Sequence, residues 1–436
     1  MNTSEETLAL GIPESPAAIE EIQRRQKPVA FEKAKRATFW KGKLDHINPK
    51  KLDDPEEWSK IPILDKDQLR EMTTEQFYTD FCTAPPNQIC EYWRSGGSTG
   101  KPLFYPKTYE DICYNMVGFA RTFHCSGTQP GNVAHISFPL GIHPAGHMWA
   151  RSARIIGVGT IWGGAGASLP SAMQLELISS LKPTIWMGMS SYGLHLANLA
   201  AAKGIDLKGG SISRIMCTAE PVSAAKRAKL ERDWGAEVYD CFGMTECSMM
   251  GAESEKRDGF HIWTDLAHIE VLDEQTMKPV AEGKPGVLVM TPLFSNNGAA
   301  FLRWNSGDIV SWKRHGETSS EFAVFPVIEH AHRTAGFFKI RGVNINHQEY
   351  EDFIFDIPDV NDFKAELITE NNGADKFVLS IEINPESNAT TVAQNVIHET
   401  KRIFEVTPDI NVLDLGTLAT EFESSVKAPR FSDRRK

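Results

Sequence analysis

The sequence predicts an α/β protein with a large N-terminal domain built on mixed, mainly parallel sheets and helices, followed by a smaller α+β module. Three observations carry this. Between Glu91 and about Glu329, short apolar runs (VAHISFPL, TIWMGM, SRIMCTAEP, AEVYDCFG) alternate with helical stretches such as AAKRAKLERDWG, the texture of βαβ units. Past about Gly336, AELITEN, FVLSIEIN and INVLDLG read as strands and VAQNVIHETKRIFE as a helix, a segment of about 100 residues, an ordinary domain size. Finally, 436 residues exceed the roughly 250–300 that one core accommodates. The expected division is a large domain over 1–331 and a small one over 332–436.

The elements follow in order. Residues 1–60 are charged and helical, with IEEIQRRQ and AFEKAKRATFW as amphipathic turns. WSKIPILD ends at Asp65, an N-cap for the helix that KDQLREM begins. HIEVLDEQTMKPVAEGKPGVLVMTPL departs from the βαβ texture: Gly and Pro clusters mark turns between antiparallel strands. HRTAGFFKIRG joins the two domains, and neither an internal repeat nor a low-complexity tract is visible.

Composition narrows the function. Hydrophobic residues make up 41% and charged residues 24%, with a net charge of −11. A broad basic face is not expected, and neither is nucleic acid as a partner; backbone dipoles still permit a small anionic ligand locally. Seven cysteines at irregular spacing, with no C-x-x-C pair, suit reduced thiols in the cytoplasm. MNTSEETLALGIPESPAA has neither a basic nor an apolar signal region, and no run of about 20 apolar residues exists, so secretion and a membrane span are not expected. Cys241, Cys247 and His261 are too few and too irregular for a zinc site, and no G-x-S-x-G elbow supports a serine hydrolase.

The most informative segment is RSGGSTGKPLFYPKT, 94–108. Ser95, Gly96, Gly97, Ser98, Thr99, Gly100 and Lys101 combine three glycines, three hydroxyls and a cation. Glycines let backbone N–H groups converge on an anion, and the hydroxyls and ammonium add donors for phosphate oxygens. The segment is not a G-x-x-x-x-G-K-[ST] loop, because Pro102 follows Lys101 and removes the metal-binding hydroxyl. The strand-like LFYPKT puts it between strands instead of at the head of a helix.

Taken with other motifs in order, this loop resembles that of the phenylacetate–coenzyme A ligase family within the acyl-adenylate-forming, AMP-binding superfamily. IPILDKDQLREM at 61–72 resembles the stretch before the loop. Ala219-Glu220-Pro221 resembles the adenine-facing element, and YDCFGMTE at 239–246 the Y-D-x-Y-G-x-[ST]-E signature. DGFHIWTD, RWNSGD, KIRGVN and the tail SSVKAPRFSDRR follow in family order. The resemblance runs from about residue 20 to the C-terminus.

It implies an ATP-dependent acid–coenzyme A ligase that forms AMP, with ATP, Mg²⁺ and coenzyme A as cofactors and a mobile C-terminal domain. The loop would hold the β- and γ-phosphates, Thr245 the α-phosphate and Glu246 the Mg²⁺. Glu220 and the backbone of Asp240, Cys241 and Phe242 would frame the adenine, Asp308 the ribose hydroxyls, and Arg333 the ribose or phosphate. Lys427 would be the adenylation lysine. Arg341, Gly342 and Val343 would line the pantetheine tunnel. Two segments depart from the family. Val426 replaces the glycine before the lysine, and Ala335 and Gly336 replace the two hinge acids, so a different hinge balance is expected.

The acid pocket is implied at Ser137, Phe138, Gly141, Ile142, His147 and Tyr192. Phenylacetate ligases tend to carry aromatics where Ser137 and Ile142 stand, so the substrate expected is an aryl or arylalkanoic acid that need not be phenylacetate. Two other readings stay open: an adenylating enzyme that passes its acyl group to an amine or carrier-protein thiol, and a silent nucleotide-binding homologue. The partners expected are small molecules, with no membrane, and a homodimer is compatible with the sequence.

Overall fold

In the computed structural model, residues 11–94, 103–333, 337–340, 343–369, 375–423 and 430–435 are described. The chain forms two compact units. The first comprises Met1–Asn132, Leu140–Thr160 and Tyr239–Thr334; the second comprises Val133–Pro139, Ile161–Val238 and Ala335–Lys436.

The first unit opens with the helix Pro16–Lys35, begun by the Ser15 side chain accepting from the Ala18 N–H. Its Phe31 and Ala34 join Trp40, Trp58, Phe77, Phe81, Phe301 and Trp304 in an aromatic-rich core. Asp65 caps the helix Lys66–Arg70 through a reciprocal box with Gln68, as the sequence predicts. An antiparallel sheet runs in the order Ala267–Leu272, Gly286–Pro292, Trp304–Lys313, Val327–Arg333, Phe260–Ile262, Ser248–Glu253, Glu237–Met244. The antiparallel run thus begins earlier than the sequence texture suggests. The reason is local: Met244 pairs with Ser248 across a tight turn, too short for the crossover that parallel strands need.

The strands Ile89–Arg94 and Phe104–Thr108 pair antiparallel with Arg94 opposite Phe104, so the glycine-rich segment joins two strands, as expected. Asp111 fixes the second strand. Its carboxylate accepts from the Thr108 N–H at 2.9 Å and, across the unit, from the N–H groups of Asn297 and Gly298, each at 2.9 Å. Gly298 sits so close that a Cβ there would lie 2.2 Å from the Pro106 carbonyl oxygen. Nearby, Arg121 and Asp265 form a buried two-point pair at 2.7 and 2.8 Å.

The second unit holds parallel strands Val133–Ile136, Ile185–Gly188 and Arg214–Cys217, with helices Ser171–Leu181, Ser190–Ala202 and Ala224–Trp234. Trp186 and Trp234 fill its centre, rings 5.4 Å apart. Gly188 and Gly193 leave room for the Trp186 ring. The unit also contains a four-stranded sheet, Asp409–Leu413, Asp375–Ile383, Val360–Thr369 and Phe431–Asp433, with the helix Ala389–Phe404. The first three of these strands and the helix are those the C-terminal sequence predicts; Phe431–Asp433, paired parallel to Val360–Thr369, was not anticipated. Tyr350 packs there against Phe377 and Phe404 at 5.3 and 5.0 Å.

Asp111 is fully buried, and each donor it abandons costs about 1–3 kcal/mol. Asp111→Ala is therefore expected to destabilise the protein by about 3 kcal/mol or more in denaturant unfolding. Asp111→Asn, which keeps an acceptor, is expected to lose less.

Candidate active site

The strand Glu237–Met244 turns back on Ser248–Glu253 through Thr245, Glu246 and Cys247. Ser248 closes the turn at φ 70°, the left-handed residue that three-residue hairpin loops use. Gly243 is required beside it, since a Cβ would meet the Ser248 carbonyl oxygen at 2.6 Å. Thr245 is half-buried and Glu246 buried.

A buried carboxylate needs compensation, and Glu246 has it. The Tyr105 hydroxyl donates to Oε1 at 2.9 Å, and the Lys66 ammonium lies 3.7 Å from the same oxygen. Lys107 Nζ donates to the Glu246 backbone carbonyl at 3.4 Å and lies over the Trp93 ring at 5.0 Å. Burial pushes the Lys107 ammonium below its ordinary range, opposed by the charges of Asp111 and Glu246. Two side chains of the strand that follows the glycine-rich segment thus reach the expected metal-binding acid. The sequence reading missed Tyr105, Lys107 and Lys66. The signal for the first two was the period-two spacing in LFYPKT, which puts both on one face of a strand.

Asp308 lies on the strand Trp304–Lys313 and is 1% exposed. The strand is irregular there. Val289 pairs with Asn305 and Val287 with Ile309, so Ser306, Gly307 and Asp308 bulge out of register. Gly307 supplies the left-handed φ of 73°, and Asn305 Oδ1 accepts its N–H at 3.0 Å. Bulges re-aim side chains beside functional sites; here the turn-like S-G-D of the sequence is a bulge inside a strand. Across the ladder, Asp308 stands opposite Arg333. Asp240, Cys241 and Phe242 are buried along the strand Glu237–Met244, and the Asp240 N–H donates to Glu253 at 2.7 Å.

In the second unit, Ala219 adopts φ 73°, a conformation that costs a non-glycine residue about 1–3 kcal/mol. Beside it, Glu220 accepts from the Ser190 hydroxyl at 2.7 Å, the Ser191 hydroxyl at 3.0 Å and the Ser191 N–H. Its carboxylate therefore sits at the N-terminus of the helix Ser190–Ala202, where negative charge is favoured. Pro221 accepts from Lys226 Nζ at 3.4 Å.

The residues expected for the acid pocket divide between the units. Ser137, Phe138 and Tyr192 are buried in the second. The Ser137 hydroxyl donates to Gln174 Oε1 at 2.7 Å, and Gln174 Nε2 donates to the Tyr192 oxygen at 2.9 Å. Burial pushes the Tyr192 hydroxyl up to about 12, so it stays protonated at neutral pH. Gln174 was not anticipated; it bridges two predicted residues far apart in sequence. In the first unit, Gly141 and Ile142 are exposed, with Ile142 accepting from the Arg94 N–H at 3.2 Å, and His147 is half-buried in the helix Pro144–Ile155.

Val343 begins the strand Val343–Asn346. Ser95, Gly96, Gly97, Ser98, Thr99, Gly100, Lys101, Ala335, Gly336, Arg341, Gly342, Val426, Lys427 and the Arg333 side chain lie outside the described residues. Among the described residues, no group of three or more His, Cys, Asp or Glu side chains is arranged to hold a metal ion. Nor is any helix there long and apolar enough to cross a membrane.

The chain resembles known proteins in sequence and in fold. The chain is 26% identical to a phenylacetate–coenzyme A ligase of Aromatoleum evansii over 407 residues, covering 89% of this chain and 88% of the relative. It is 26% identical to another of that name from Thermus thermophilus over 356 residues, 80% and 78% of the two chains. Among solved structures, a 2-hydroxyisobutyryl-CoA ligase in the postadenylation state with R3-HIB-AMP matches with a TM-score of 0.80 at 22% identity, covering 96% of this chain and 89% of that one. The sequence profile described as AMP-binding enzyme matches residues 25–292. Because that match spans more than half of the chain, the chain belongs to the AMP-binding enzyme family.

Proposed function

We propose that this protein is an ATP-dependent acid–coenzyme A ligase that forms AMP. It activates an aryl or arylalkanoic carboxylic acid as the acyl-adenylate and then makes the thioester. The observation that carries the reading is the buried Glu246 carboxylate at the hairpin tip, bonded to Tyr105 on the strand that leaves the glycine-rich segment. The two phenylacetate–coenzyme A ligases matched over most of their length support the reaction class.

A carboxylate is a poor acyl donor because oxide is a poor leaving group. In the first step a carboxylate oxygen attacks the α-phosphorus of ATP and pyrophosphate leaves. In the second the thiol sulfur of coenzyme A attacks the acyl carbon, loses its proton, and AMP leaves. Phosphoryl transfer asks the protein mainly for position and charge. The segment from Ser95 to Lys101 is proposed to wrap the β- and γ-phosphates and Thr245 to meet the α-phosphate. Asp308 and Arg333 take the ribose, and Glu220 with Asp240, Cys241 and Phe242 frames the base. Arg341, Gly342 and Val343 are assigned to coenzyme A. Ser137, Phe138, Gly141, Ile142, His147 and Tyr192 are assigned to the acid.

The Glu246 carboxylate suits Mg²⁺, a hard cation usually held by one or two carboxylates together with substrate phosphates. When bound, the ion would neutralise charge on the triphosphate. Lys427 is proposed to bridge the carboxylate and α-phosphate during adenylation, carried on a C-terminal domain over 332–436.

Lys427→Ala is expected to abolish acid-dependent ATP–pyrophosphate exchange while largely sparing thioester formation from supplied acyl-adenylate; equal loss of both steps would remove Lys427 from its role. Glu246→Gln is expected to lower exchange by about 10²-fold and to shift the Mg²⁺ concentration needed for half-maximal rate upward. A rate indifferent to Mg²⁺ in both proteins would count against the metal assignment.

A further inference from the structure

Two side chains of one short strand hold the acid that the proposed chemistry gives to the cation. On the strand Phe104–Thr108, Tyr105 and Lys107 share a face, and both are buried. The Tyr105 hydroxyl donates to Glu246 Oε1 at 2.9 Å. Lys107 Nζ donates to the Glu246 backbone carbonyl at 3.4 Å. One contact fixes the carboxylate and the other its backbone, so a flexible side chain is held at both ends.

The two contacts leave the carboxylate unevenly used. Among the described residues, Tyr105 makes the only hydrogen bond to it, and that bond goes to Oε1. The Lys66 ammonium approaches the same oxygen at 3.7 Å. The Tyr105 donor is a neutral hydroxyl, so it satisfies Oε1 without adding a positive charge that would cancel the carboxylate.

The strand that carries both side chains is itself fixed. Asp111 accepts the Thr108 N–H at 2.9 Å, and Gly298 packs against the Pro106 carbonyl too closely for any Cβ. The Tyr105 ring meets Phe77 and Phe301 with centroids 5.9 and 5.3 Å away. Core packing, and not the reach of a mobile side chain, therefore places the hydroxyl.

We infer that Tyr105 and Lys107 are positioning residues for Glu246: Tyr105 engages Oε1 and leaves Oε2 for the cation, and Lys107 pins the backbone of the hairpin tip. The inference rests on the metal-binding role proposed above for Glu246. Groups that orient a ligating carboxylate restrict its freedom before the ion arrives, so less is lost on binding.

Tyr105→Phe keeps the ring in the core and removes only the donor. For the complex with the α,β-methylene analogue of ATP, its dissociation constant for Mn²⁺, titrated by electron paramagnetic resonance, is expected to rise by about tenfold. Lys107→Met, which keeps the buried stem, is expected to shift the constant in the same direction. In acid-dependent ATP–pyrophosphate exchange, the Mg²⁺ concentration for half-maximal rate should rise by the same factor as the Mn²⁺ constant. The rate deficit should close as Mg²⁺ is raised, with KM for the acid unmoved. The double variant Tyr105→Phe with Glu246→Gln should bind Mn²⁺ no more weakly than Glu246→Gln alone, as expected for two groups acting through one contact. A role in packing alone would lower the unfolding midpoint and leave the Mn²⁺ constant where it was. An unchanged constant in Tyr105→Phe overturns the role of Tyr105, and an unchanged constant in Lys107→Met that of Lys107. If Glu246→Gln binds Mn²⁺ as tightly as the unaltered protein, the metal reading of Glu246 fails and both positioning roles fall with it. If Glu246→Gln is weakened and neither strand variant is, the metal reading stands and the positioning roles alone fall.

Discussion

The arrangement of the first unit depends on keeping one negative charge out of water. Glu246 sits at the tip of a hairpin, almost fully buried, where an uncompensated carboxylate would cost more than the fold can bear. Tyr105, Lys66 and the carbonyl contact of Lys107 supply that compensation. To do so, the strand Phe104–Thr108 must run beside the hairpin, and Asp111 with the close-packed Gly298 holds it there.

The second unit handles buried charge differently. Arg430, Asp362, Glu351 and Lys226 form a connected set, with Lys226 paired to Glu351 at 2.9 Å and donating to the Pro221 carbonyl. Each charge has a specific partner, which makes the set a device of geometry more than of stability. It runs from the Ala-Glu-Pro element to the end of the chain. A second network runs from Ser137 through Gln174, Tyr192, Ser171 and His195 to the Glu423 carboxylate.

Much of the fold was legible in the sequence because its signals are local. The Asp65 N-cap, the alternation of strands and helices, and three of the C-terminal strands with their helix depend on neighbours within a few residues. The glycine-rich segment read correctly as an inter-strand connection because LFYPKT has strand character. The bulge at Gly307 was not legible, since S-G-D has the same composition in a turn and in a bulge. The partners of Glu246 were not legible. Nothing in the spacing of Lys66, Tyr105 and Glu246 marks them as neighbours, because the sheet pairs segments far apart in the chain.

By itself the sequence determined the class of fold, the motif series that places the chain in its family, and the residue types available for phosphate, ribose and carboxylate chemistry. Those follow from composition, periodicity and short-range motifs. Only the tertiary structure decided that Glu246 is buried against Tyr105, that Asp308 is turned by a bulge, that Gln174 bridges Ser137 and Tyr192, and that Glu423 meets His195. Each is a contact between distant segments. It is fixed by strand register and by the need to pair buried polar groups, and neither can be read from one stretch of chain alone.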